Sequence, residues 1–168
     1  MSRPLAKSSI VLLAICLLIL GSSATFADDD NLDALNQRIV ELFGHGKYQE
    51  AIPVAEKAVD IARRLLGPED PKTARSLNNL AMLYEAMGEY AKAEPLFQEA
   101  LRIRQKVLGP EHQSTAVSLN NLASLYEDVG AYAKAEALFQ EALQIRQKVL
   151  GPEHPYTAQS LNNLALLY

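Results

Sequence analysis

Shifted by 42 positions, the sequence lies on top of itself. Residues 67–108 and 109–150 agree at 32 of 42 positions, and residues 151–168 agree with 109–126 at 14 of 18. Self-similarity at a fixed period admits few folds, because each copy must be one supersecondary unit and the copies must stack to bury what none can bury alone. A looser copy keeps Gly46, Tyr48, Ala51, Ala58, Ile61 and Leu66 at the matching places. The chain therefore divides into a leader at 1–27, a degenerate first repeat at 28–66 that serves as an N-terminal cap, repeats at 67–108 and 109–150, and a truncated repeat at 151–168 holding a first helix only.

Each copy predicts two helices. In the second copy, Gly67 and Pro68 end the preceding helix, Asp70 is placed to cap the next one, and Pro71 suits its first position. A first helix (A) is expected from about Pro71 to Met87. Leu77, Leu80, Ala81 and Tyr84, at spacings 0, 3, 4 and 7, form its apolar stripe. Gly88 interrupts the pattern. A second helix (B) is expected from about Tyr90 to Leu108, with Tyr90, Ala93, Phe97, Ala100, Leu101 and Val107 on its apolar face. Arg102, Arg104 and Lys106 crowd its end, where cations oppose the negative end of the helix dipole. Pro53 and Pro95, replaced by Ala137 in the next copy, fall inside B helices and should each remove a hydrogen bond and bend the helix.

The leader reads as an export signal. Arg3 and Lys7 precede an apolar run from Ile10 to Leu20, and a small-x-small ending at Ala27 marks the cleavage site. Eleven apolar residues are too few to cross a bilayer, which takes roughly 20. An uncleaved anchor is the alternative. Cys16, the chain's one cysteine, lies in this run, so the array itself has no thiol for a disulfide, a zinc cluster or a nucleophile. Net charge is −4, and falls to −6 once the two leader cations are lost, which disfavours nucleic acid as a partner.

The string Leu77-Asn78-Asn79-Leu80-Ala81, followed by Tyr84, Gly88, Tyr90, Ala93, Phe97 and Ala100, resembles the tetratricopeptide repeat signature. The resemblance covers residues 46–168. The 42-residue length, with its Leu-Gly-Pro-Glu-His stretch, is similar to the longer variety found in kinesin light chains and in many bacterial proteins. It implies an all-α fold, a right-handed superhelical array of antiparallel helix pairs, with A helices lining a concave face where partner peptides lie. The chain departs from the signature in lacking proline at the usual end of helix B. It departs more in the first copy, where Arg38 stands for Leu80 and Gln37 for Asn79, so that its helix A, about Asn31 to Phe43, is expected to be a polar-faced cap.

Comparison among the copies marks a candidate site. With Leu77 at zero, Arg75, Asn79, Met82 and Ala86 fall at about 140° to 200°, opposite the core stripe. The next copy places Val117, Asn121, Ser124 and Asp128 there, and the last places Gln159, Asn163 and Leu166. Three places vary while the asparagines stay fixed. Either the carboxamides hold a bound peptide's backbone while their neighbours select its side chains, or each asparagine bonds the adjacent helix and the neighbours are merely solvated. Asn78, Asn120 and Asn162, nearer 100°, sit on the flank or in the groove.

No phosphate loop or nucleophile elbow occurs, and no metal or cofactor site is expected. His112 and His154 fall at equivalent loop positions about 10 Å or more apart, suited to capping or loop packing rather than a shared ion. His45, between two glycines, reads as a turn residue.

The expected function is a non-catalytic, exported scaffold, periplasmic or secreted, that binds a peptide or protein segment in its groove, with no nucleic-acid partner and no stable membrane insertion after signal cleavage. Two other readings remain: the N-terminal targeting array of a longer enzyme, such as a caspase-like peptidase, or a self-associating module. The last A helix has no B helix over Leu161, Leu164, Ala165 and Tyr168, which is expected to leave a fraying or associating end and marks 151–168 as the stump of a longer protein. Residues 1–30 fused to a periplasm-dependent reporter should give an active product cut after Ala27; a reporter retained in the cytoplasm would reject export.

Overall fold

The computed structural model of the chain describes residues 32–167, and the leader with Cys16 and the terminal Tyr168 lie outside them. Seven helices make up 83% of the described residues, with no strand among them. They are α1 (32–44), α2 (Tyr48–Leu65), α3 (Pro71–Ala86), α4 (Tyr90–Leu108), α5 (Gln113–Asp128), α6 (Tyr132–Leu150) and α7 (Pro155–Leu166). The odd-numbered helices are the A helices and the even-numbered ones the B helices. Each packs on its sequence neighbours, and α3 also touches α5. Successive B helices make at most marginal contact, and the A helices form one row bonded helix to helix.

Local chemistry places the helix ends. Asp70 caps α3 by accepting a hydrogen bond from the Lys72 amide at 2.7 Å, with Pro71 in the first turn. His112 and His154 do the same work through Nδ1, accepting from the Ser114 and Tyr156 amides at 3.0 and 3.2 Å. His45 occupies the turn after α1. Gly109 ends α4 at φ 97°, ψ 158°, a region essentially closed to residues with a Cβ and distinct from the left-handed helical conformation a simple C-cap would use. Its carbonyl accepts from Thr115 Oγ1 at 2.8 Å, and the bond recurs as Thr73 to Gly67 and Thr157 to Gly151. The loop is thereby tied to the helix it starts.

Within each pair small residues set the spacing. Ala81 and Ala93 lie against Phe97, and Ala123 and Ala135 against Phe139, all fully buried. Leu77, Leu80 and Ala81 are buried as the 3.6-residue stripe requires, whereas Val107 is 48% exposed and Ile103 takes the buried place expected of it. The last turn of helix B thus turns its valine to solvent. Pro53 and Pro95 leave their helices unbroken, since each sits exposed in the second turn; α4 with Pro95 and α6 with Ala137 have equal length.

The basic end of helix B does not act as a simple dipole cap. Arg102 and Lys106 reach Glu69 at 2.9 and 3.0 Å, and these contacts hold the Glu69 carboxyl below its usual range. Arg104 turns inward instead. Its Nη1 donates to the Ser114 carbonyl at 3.1 Å and to Ser118 Oγ at 2.7 Å, crossing to the next copy. Arg146 repeats this with Tyr156 and Ser160. Burial pushes the Arg104 guanidinium down to about 10, with the charge of Arg75 adding to the effect, so it is still cationic at neutral pH.

In the first copy, Leu32, Ile39 and Leu42 are buried while Arg38 is exposed and pairs with Glu41 at 2.8 Å. Its outer face is polar and its inner face joins the core. The opposite end is bare: Leu161 is 47% exposed where its equivalent Leu119 is 1% exposed, and Leu166 is 70% exposed. Amide exchange in α7 should therefore run faster than in α5 by at least tenfold, because less apolar contact resists its opening; equal protection in a monomeric sample would refute this. Arg104→Ala should lower stability by about 2–4 kcal/mol in urea titration, since it strands Ser118 and a carbonyl and opens a void. A loss below about 0.5 kcal/mol would show that the junction does not depend on it.

Candidate functional site

The fixed asparagines form a ladder. Asn79 Nδ2 donates to Asn36 Oδ1, Asn121 Nδ2 to Asn78 Oδ1, and Asn163 Nδ2 to Asn120 Oδ1, each at 2.9 Å. The second asparagine of one copy thus bonds the first asparagine of the copy before. The acceptors Asn36, Asn78 and Asn120 are buried between A helices, and Asn36 Nδ2 in turn donates to the Leu32 carbonyl at 2.8 Å. This is the bond to the adjacent helix that the sequence left as one of two roles. Asn162, with no helix beyond it, is exposed. Because Asn79, Asn121 and Asn163 are only half-buried, the ladder also presents carboxamides along the surface of the row.

Every varying member of the sequence-defined strip reaches solvent. Arg75, Ala86, Val117, Asp128, Gln159 and Leu166 are exposed, and Met82 and Ser124 are half-buried. Arg75, Asn79 and Met82 are drawn together with α1 into two adjoining cavities. One, of about 430 Å³, is lined by Asp33, Asn36, Gln37, Val40, Arg75 and Asn79. The other, of about 160 Å³, is lined by Ile39, Val40, Phe43, Asn79 and Met82. The strip members on α5 and α7 continue the same row, whereas Ala86 lines a separate cleft with Gly46, Lys47 and Tyr48. The α1 contributors escaped the sequence analysis, yet the 42-residue shift maps Asp33, Gln37 and Val40 onto Arg75, Asn79 and Met82. That signal was present in the weaker copy.

The row is electrically polarised. Near the starts of the A helices stand Arg75 and the buried Arg104; Arg75 Nη2 bonds Asp33 Oδ1 at 2.7 Å, which holds that carboxyl below its usual range. Near their ends stand Glu85, Glu127 and Asp128. Glu85 Oε1 is buried with no hydrogen-bond partner, and its carboxyl is pushed up to about 7, first by burial and then by the charge of Asp128 on α5. The arrangement offers carboxamides, an apolar hollow and separated charges, which suits binding. Among the described residues no group of three His, Cys, Asp or Glu is placed to hold a metal, and no helix is long and apolar enough to cross a membrane.

The tetratricopeptide repeat family model matches residues 33–106, 76–148 and 114–168. Among solved structures, the chain is similar to the nearly identical TPR-like repeats of a Podosopora anserina protein provisionally named a kinesin light chain, at 30% identity and TM-score 0.76, covering 82% of this chain and 65% of that one. It is similar also to BtubC (BKLC) from P. vanneervenii, at 25% identity and TM-score 0.74, covering 98% of this chain and 66% of that one. The first TPR of Spaghetti (RPAP3), bound to an HSP90 peptide, shares the fold at 18% identity and TM-score 0.59, covering 81% of this chain and 89% of that one. The chain spans about 65% of the length of the Podosopora structure. No curated protein matches it significantly. The repeat period, the A-helix row and the family match together show that the chain belongs to the tetratricopeptide repeat family.

Proposed function

We propose that the chain is a non-catalytic scaffold that holds an extended peptide or protein segment against the row of A helices, and that it works outside the cytoplasm of a bacterium. One observation supports the binding reading: three of the ten positions that differ between residues 67–108 and 109–150, namely 75, 82 and 86, reach solvent along this row, while the asparagines and the buried stripe beside them repeat. The ladder asparagines use one carboxamide hydrogen on their neighbour and keep the oxygen and the other hydrogen for a bound backbone. Export rests on the basic and apolar leader.

A photo-crosslinking residue placed at Val117 or Ser124 should capture the partner, while one at Gln140 on the exposed side of α6 should not. Capture from Gln140 alone would overturn the groove assignment. Because Asn121 also secures the buried Asn78 oxygen, Val117 and Ser124 report on binding more cleanly than an asparagine variant would.

A further inference from the structure

Successive junctions between A helices repeat the same asparagine bond among different neighbouring side chains. Between α1 and α3 the hollow of about 160 Å³ is walled by Phe43, Val40 and Met82, and Val40 is 67% exposed. A dry cavity of about 150 Å³ admits a benzene ring, so this one has room for a single apolar side chain. One junction on, the 42-residue shift turns Phe43 into Glu85, Val40 into Met82 and Met82 into Ser124, while Asp128 enters where Ala86 stood. That junction is acidic, and its Glu85 Oε1 is buried without a donor. Met82 stands between the two.

Neighbouring helices pack about 8–10 Å apart, and an extended polyproline II chain advances about 3.1 Å per residue with three residues per turn, so every third side chain faces the same way. Positions about three residues apart in a bound segment therefore meet successive junctions. We propose that the groove selects an extended segment carrying an apolar side chain of Leu, Met or Phe size about three residues from a Lys or Arg, the first filling the α1–α3 hollow and the second paired with Glu85 and Asp128. This rests on the groove-binding reading above and adds the chemistry of the ligand. Charge complementarity supports it: the Glu85 oxygen lacks a donor, and Asp128 on α5 acts on it only as a like charge.

Protonation gives an independent readout. The Glu85 carboxyl, pushed up to about 7, is mostly neutral at pH 6 and mostly ionised at pH 8. A cation beside it favours the ionised form, so binding releases a proton and tightens as pH rises.

The test is a random seven-residue phage library panned against the full chain. Enriched sequences should pair Leu, Met or Phe with Lys or Arg three positions away. The apolar preference should vanish with Val40→Ser plus Met82→Ser, and the basic one with Glu85→Gln plus Asp128→Asn, each checked for retained helicity. For the capped probe Gly-Leu-Ser-Gly-Lys-Gly, affinity should improve up to about tenfold from pH 6 to pH 8, following the ionised fraction, and lose that dependence in Glu85→Gln. Peptides that compete with crosslinking at Val117 but are acidic or patternless would overturn this selectivity and leave groove binding standing. Retention of no peptide at all would overturn both.

Discussion

An A helix in this array buries its apolar stripe against its own B helix and the copies beside it. Leu119 and Leu161 occupy the same place in their copies, yet one is sealed and the other half open, because α6 lies over the first and no described helix follows α7. Burial of a leucine is worth about 1.5–3 kcal/mol, so each uncovered position removes a sizeable part of what its copy contributes. Stability is thus held between neighbours, and a copy acquires it from its position in the stack.

Apolar contact alone would leave the stack free to slide, since alanine against phenylalanine has little directional preference. Directional bonds supply the register. The asparagine ladder ties each A helix to the one before, Arg104 and Arg146 tie α4 and α6 to the A helix after, and the threonine bonds close each loop. The guanidiniums are a costly choice, because their charge is desolvated without a carboxylate partner. Their hydrogen bonds to a serine and a carbonyl offset part of that cost and fix one rotation of each copy on the next. With the framework held this way, the solvent-facing strip is free to change its chemistry from copy to copy.

The row of A helices therefore behaves as a series of equivalent positions with unlike side chains. The first is apolar and bordered by an arginine–aspartate pair, and the second is acidic. Under the binding role proposed above, such a series would distinguish ligands by the order and spacing of their side chains, which a single pocket cannot do.

Much of this could be read from sequence because it follows from local rules repeated three times over. The 42-residue period, the Gly-Pro breaks, the Asp70 cap and the Leu77 stripe each depend on residues within a turn or two, so the helices, their pairing and the solvent-facing strip were legible. What depended on contacts between different copies was not. The asparagine ladder joins residues on different helices, and sequence could state it only as one of two roles. Arg104 looked like a helix-end cation because its Ser118 partner lies in another copy, and Val107 looked like core because nothing local reveals that the last turn leaves it exposed. The degenerate first copy hid Asp33, Gln37 and Val40 from a search that weighted identity, although the shift that found the other copies points to them. Sequence by itself determined the repeating helical unit, since helix formation is a short-range matter. Only the tertiary structure decided which polar groups face one another between copies, and hence where hollow, charge and carboxamide meet, because those distances are set by how the helices pack.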